Sequence, residues 1–127
     1  MCVQSPGNSA LVKMDPTLAE VETALRELKN DTDRSSIIFS NASTEDILNI
    51  GGGRELFVVG FRQESGEEWI VSNGSKAANP VLVTTGGQEI DVPSRFAVRI
   101  ADALQAARHF CVHGSRSPEL LWESVAH

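Results

Sequence analysis

The sequence predicts an α+β domain: an antiparallel sheet of about five to seven strands, with an N-terminal helix and a long C-terminal helix packed on one face, ending in a short strand. Three observations carry that expectation. Apolar residues recur at three- and four-residue spacing near each end of the chain. Between those two stretches lie short runs of β-branched and aromatic residues separated by Gly, Asn, Ser and Glu. The chain has 127 residues, 41% hydrophobic and 22% charged, which suits one core rather than two, so 1–127 is expected to form a single domain.

Residues 1–15 read as a flexible tail. They hold no basic start followed by an apolar stretch, so export is not expected. The longest apolar runs, Leu56–Phe61 and Val81–Val83, fall far short of the roughly 20 residues a membrane-spanning helix needs. Cys2 lies in that tail and Cys111 in a helical pattern. One bridge between a frayed end and a helix is a poor framework, so both are expected as reduced thiols in a cytoplasmic protein.

The first helix is predicted from Thr17 to Lys29. Thr17-Leu18-Ala19-Glu20 is a capping box, and Asp15-Pro16 stops any earlier start. Leu18, Val21, Leu25 and Leu28 make one apolar stripe, with Glu22 and Arg26 four apart on the solvent side. Strands follow at Ile37–Phe39, Ile47–Ile50, Leu56–Phe61 and Trp69–Val71, with Gly51-Gly52-Gly53 as a hinge and Ser65-Gly66 as a turn. After Asn73-Gly74 and the Pro80 break, Val81–Thr84 is a further strand. Glu89–Val92 alternates as a half-buried edge does.

The long helix is expected to start at a Ser94 N-cap. Phe96, Ile100, Leu104, Ala107 and Cys111 recur with helical period, widened by Ala97, Ala101 and Phe110. It should end at Gly114, with Arg95, Arg99 and Arg108 on a solvated face. Pro118 forces an extended segment, and Leu120–Trp122 returns as the last strand.

Little in this pattern supports catalysis. His109 and His113 stand four apart, as helical metal ligands do, but Phe110 occupies the place where a zinc hydrolase carries Glu. Gly51-Gly52-Gly53-Arg54 has neither phosphate-loop spacing. No nucleophile elbow and no deaminase His-x-Glu with Pro-Cys-x-x-Cys is present. No catalytic residue, metal or cofactor is therefore expected, and the chain is read as a non-enzymatic binder of another protein.

A net charge of −6 and an absence of tyrosine oppose nucleic-acid binding and favour a basic partner. Carboxylates gather at Glu45-Asp46 and at Glu64, Glu67 and Glu68. These are either solvated hairpin ends or an acidic patch for that partner. Trp69 and Trp122 lie among apolar strand residues and are expected in the core.

The stretch from Gly87 to Trp122 resembles the C-terminal signature of immunity protein family 1 of bacterial polymorphic toxin systems. There a Val-Pro step precedes a helix ending in Phe and Gly, an Arg-x-Pro-like turn and a strand with Trp. Val92-Pro93, Phe110, Gly114, Arg116, Pro118 and Trp122 occupy those places, with Ser117 as a departure between Arg and Pro. The resemblance implies a cytoplasmic antidote in interbacterial competition, which binds and neutralises a cognate toxin of the nucleic-acid deaminase kind by blocking its active site or basic substrate groove.

On that reading Asp46, Glu64, Glu67 and Glu68 contact the toxin, and Phe110, Gly114, Pro118 and Trp122 serve the fold. No nucleic acid and no membrane is expected as a partner, and oligomeric state is left open. The competing reading is a small ligand-binding or enzyme domain with a pocket between the sheet and the long helix. A filled core in that position favours the antidote.

Overall fold

The predicted capping box forms: Thr17 Oγ1 accepts from Glu20 N at 3.1 Å and Glu20 Oε1 accepts from Thr17 N at 3.0 Å. It opens helix α1, Leu18–Arg26. The computed structural model describes residues 2–6, 13–14, 17–28, 36–41, 43–53, 56–75, 79–85 and 88–125. Asp15-Pro16, Lys29, Arg54 and Gly86-Gly87, which figure in the sequence analysis, lie outside them.

The strands are β1 (Cys2–Pro6), β2 (Lys13–Met14), β3 (Ser36–Asn41), β4 (Ile47–Gly53), β5 (Leu56–Arg62), β6 (Glu68–Ser72), β7 (Pro80–Thr85), β8 (Gln88–Pro93) and β9 (Leu121–Val125). Seven of them form one antiparallel sheet in the order β2-β1-β3-β4-β5-β6-β9. The β7–β8 hairpin forms a separate two-stranded sheet and packs against β4 and β5. Helix α2, Ile100–His113, lies with α1 on one face of the large sheet.

The core fills the layer between helices and sheet. Val21 and Leu25 of α1, Leu104 and Phe110 of α2, and Phe39, Leu48, Ile50, Phe57, Val59 and Val71 of the strands are all buried there. The period-2 burial of β3 and β5 shows why: Ile37 and Phe39, and Phe57, Val59 and Phe61, point to the helices, while their neighbours point the other way.

Three expectations are corrected. Cys2–Pro6, expected in the tail, is a strand paired along its length with β3, in register from Cys2↔Asn41 to Pro6↔Ile37. The expectation of separate thiols also fails. The pairing holds Cys2 beneath α2, where it forms a disulfide with Cys111 across a Cα–Cα distance of 5.0 Å. A strand sharing backbone hydrogen bonds with a central sheet is not a frayed end, and this tertiary pairing is invisible in local sequence.

The long helix starts later than predicted. Ser94–Phe96 forms a short 3-10 turn instead of the first helical turn. Val98 then bridges to Phe57, each N–H donating to the other's carbonyl at 2.8 Å. The β5–β6 ladder runs only over Gly60–Arg62, so Phe57 needs this second backbone partner, and satisfying it keeps Val98 extended. The apolar stripe shifts accordingly: Ala103 and Ala106 are buried, whereas Ala101 is exposed. Two of the arginines expected on a solvated face have partners. Arg95 pairs with Glu123 at 3.2 Å and stacks on Phe96, and Arg108 pairs with Glu22, joining the two helices.

Candidate protein interface

The C-terminal turn shows what the signature residues touch. Gly114 caps α2 in the left-handed region at φ 72°, its N–H donating to Phe110 O at 2.7 Å. The Asn41 side chain occupies the space a Cβ on Gly114 would need. Phe110 and Trp122 both meet the Phe61 ring edge-on, with centroids 6.1 and 6.2 Å apart. The Arg116 guanidinium lies 3.9 Å from the centre of the Trp69 ring.

Ser117, the departure from the signature, is only 1% exposed. Its carbonyl accepts from Trp122 Nε1 at 2.9 Å, and its hydroxyl accepts from Gln105 Nε2 at 3.1 Å and from Glu119 N at 3.3 Å. The residue thus ties the turn to both α2 and β9. Pro118 is exposed in that same turn. Trp69 and Trp122 pack against the core, each partly buried.

The two histidines stack on one another at the end of α2, ring centroids 4.5 Å apart, and His109 Nε2 lies 3.4 Å from Ser115 Oγ. Among the described residues no group of three or more His, Cys, Asp or Glu side chains could hold a metal ion. Partial burial, and then the neighbouring His113, push His109 below its ordinary pKa, while Glu119 pulls the other way. The folded state therefore resists protonation. Stability from this source is complete above the unfolded value of about 6.5 and declines as pH falls through and below it. The melting temperature should drop on acidification from pH 7.5 to 5.5. His109→Gln should flatten that part of the curve, and a curve of unchanged slope would remove His109 as its source.

Among the described residues no comparable set of contacts covers the other face of the sheet, which the β7–β8 hairpin meets at Ile90. There Ile38, Ile47, Val58 and Ile70 line a groove of about 410 Å³, floored by Asn49, Gly51 and Gly60. The groove is partly open to solvent. Ile90 of β8 reaches its rim and stays 36% exposed. At another place on the rim stand Arg62 and Glu68, directly opposite each other in the β5–β6 ladder.

Beyond Arg62 and Glu68 the chain turns, and the predicted carboxylates collect there. The backbone N–H of Glu64 donates to Asp46 Oδ1 at 3.2 Å, which holds the β3–β4 and β5–β6 turns against each other. Glu67 follows in the same β5–β6 turn, closed by Gly66 N to Gln63 O and Gln63 N to Glu67 O, both 2.9 Å. Asp46, Glu64, Glu67 and Glu68 are therefore brought to one end of the sheet, with Glu45 beside them. Glu45, Glu64 and Glu67 are exposed and make no ion pair among the described residues.

The apolar face itself was missed from sequence, although it left a signal. Ile37-Ile38-Phe39, Phe57-Val58-Val59 and Trp69-Ile70-Val71 are apolar at every position rather than at every second one. Strands of that kind have both faces covered, or have one face waiting to be covered.

The family model described as immunity protein Imm1 matches residues 15–124. No curated protein matches the chain.

Proposed function

Because the chain belongs to the immunity protein Imm1 family, we propose that it binds a cognate bacterial toxin through the uncovered sheet face and its acidic end, inside the cell that makes both. The toxin in this reading is a nucleic-acid deaminase. A basic substrate groove that attracts phosphates also attracts Asp46, Glu64, Glu67 and Glu68, so covering it excludes the substrate without any chemistry by the antidote. The observation that supports the reading best is the juxtaposition of an open apolar groove with that acidic hairpin end.

The alternative, a ligand pocket between the sheet and α2, finds no support, since large buried side chains such as Phe39, Phe57 and Phe110 fill that layer.

Co-expression with the toxin domain encoded beside the gene tests the reading. Survival should be restored, and the purified pair should bind with nanomolar affinity, about −12 kcal/mol. A toxin that still kills, and does not bind, would reject it. The charge argument has its own check. Glu64→Lys with Glu67→Lys should slow association about tenfold at low salt and flatten its salt dependence, with little change in dissociation. Association kinetics equal to wild type across the salt series would take these carboxylates out of the interface.

A further inference from the structure

We propose that the groove seats one loop or extended segment of the toxin, in which one or two apolar side chains stand directly beside a lysine or arginine. The inference rests on the antidote reading above and adds the chemistry of the segment that is held. Three features of the groove lead to it.

The first is shape. A pocket for a small molecule encloses most of its ligand and aims several polar groups at it. This groove is partly open, and its lining is mainly apolar, Ile38, Ile47, Val58, Ile70 and Ile90, with Asn49 the one polar side chain of the floor and Arg62 and Glu68 at the rim, so it offers apolar contact over most of its surface. An occupant anchored elsewhere, as a protein segment is, needs no enclosure.

The second feature is size. A space of about 410 Å³ accommodates one or two large side chains, not a whole interface. Protein interfaces concentrate their energy in such a central, desolvated spot and surround it with a polar rim.

The third is charge. Among the described residues the rim carries Glu68 opposite Arg62, and Glu45, Asp46, Glu64 and Glu67 stand in the two turns just beyond it. A segment that places an apolar side chain on the floor thus carries its next residues into carboxylates, where Lys or Arg is favoured and Asp or Glu is repelled.

Gly60 allows the test. A Cβ placed on it meets nothing nearer than Trp69 O at 3.9 Å, so a large side chain there can fill the groove from its floor and spare the helix-side core. Gly60→Phe should lower affinity for the toxin domain encoded beside the gene by at least about a hundredfold, the scale of a lost hot spot. Its melting temperature should stay near wild type.

Ile90→Asp, at the rim, should act in the same direction and decides the matter if Gly60→Phe does not fold. Ala101→Phe, on the exposed side of α2, is the size-matched control and should bind as wild type does. A photo-crosslinking residue at position 70 should capture a toxin peptide that has Lys or Arg within two residues of an apolar side chain.

If both groove variants fold and bind as tightly as wild type, the groove is not the seat, although the antidote reading stands. If the captured peptide is acidic or lacks a cation, the proposed chemistry is overturned. If the wild-type chain does not bind the toxin at all, the antidote reading falls first and the groove proposal with it.

Discussion

Gly52→Ala is expected to destabilise the protein by about 4 kcal/mol, lowering its melting temperature by roughly 15 °C. Gly52 has φ +108°, outside the region that residues with a side chain adopt at low cost. The space is closed as well. A Cβ there would overlap the Leu56 carbonyl oxygen, with Phe57 Cα at 3.0 Å and Val83 Cγ1 at 3.2 Å. The first two of these are backbone and cannot swing aside. The position joins β4 to β5 and also receives the buried Val83 of β7, so any shift that relieves the overlap disturbs the sheet and the hairpin together. Urea unfolding of the variant beside Gly60→Ala, where a Cβ makes only an ordinary contact with Trp69 O at 3.9 Å, checks the claim. Equal midpoints for Gly52→Ala and wild type would show that the chain can relax at no cost.

Reducing the Cys2–Cys111 disulfide is expected to remove about 2–4 kcal/mol of stability, with no change of fold. The two cysteines are 109 residues apart in sequence, so the bridge restricts nearly the whole unfolded chain. In the folded state β1 keeps its hydrogen bonds to β3, and α2 keeps its packing on the sheet, when the sulfurs part. The measurement is chemical unfolding of oxidised protein with and without reductant, alongside Cys111→Ser. Reductant should shift the wild-type midpoint and leave that of the variant unmoved. If reductant shifts neither, the bridge contributes nothing. In a reducing cytoplasm the wild type should sit at the lower of its two stabilities.

Much of the architecture was legible because local physics and tertiary structure agree. The Thr17 capping box, the α1 stripe at Val21, Leu25 and Leu28 though not at the exposed Leu18, the strands from Ile37 to Val71, the end of α2 at Gly114 and the closing strand near Trp122 all follow from spacing and turn residues. The misreadings lie where distant backbone decides. Val98 is extended because Phe57 needs a partner, and Cys2 is ordered because β3 presents an edge to it. Neither cause is visible within ten residues of the effect. For the candidate interface, the carboxylates stood out as turn residues, and the structure gathers them through the Glu64 to Asp46 hydrogen bond. The apolar groove did not stand out, because an apolar residue on the uncovered face of a strand reads in sequence like one more core residue.

The alternation of the strands has a consequence for how such an antidote can change over time. Ile38, Val58 and Ile70 each lie between two residues that face the helices, and none of the three belongs to the core beneath α2. Their side chains can be exchanged for larger, smaller or charged ones while the inward set stays as it is. One protein thus carries two nearly independent texts on the same strands, one that keeps it folded and one that, on the proposal above, names its enemy. A duplicated gene could rewrite the second to match a new toxin, one letter at a time, without erasing the first.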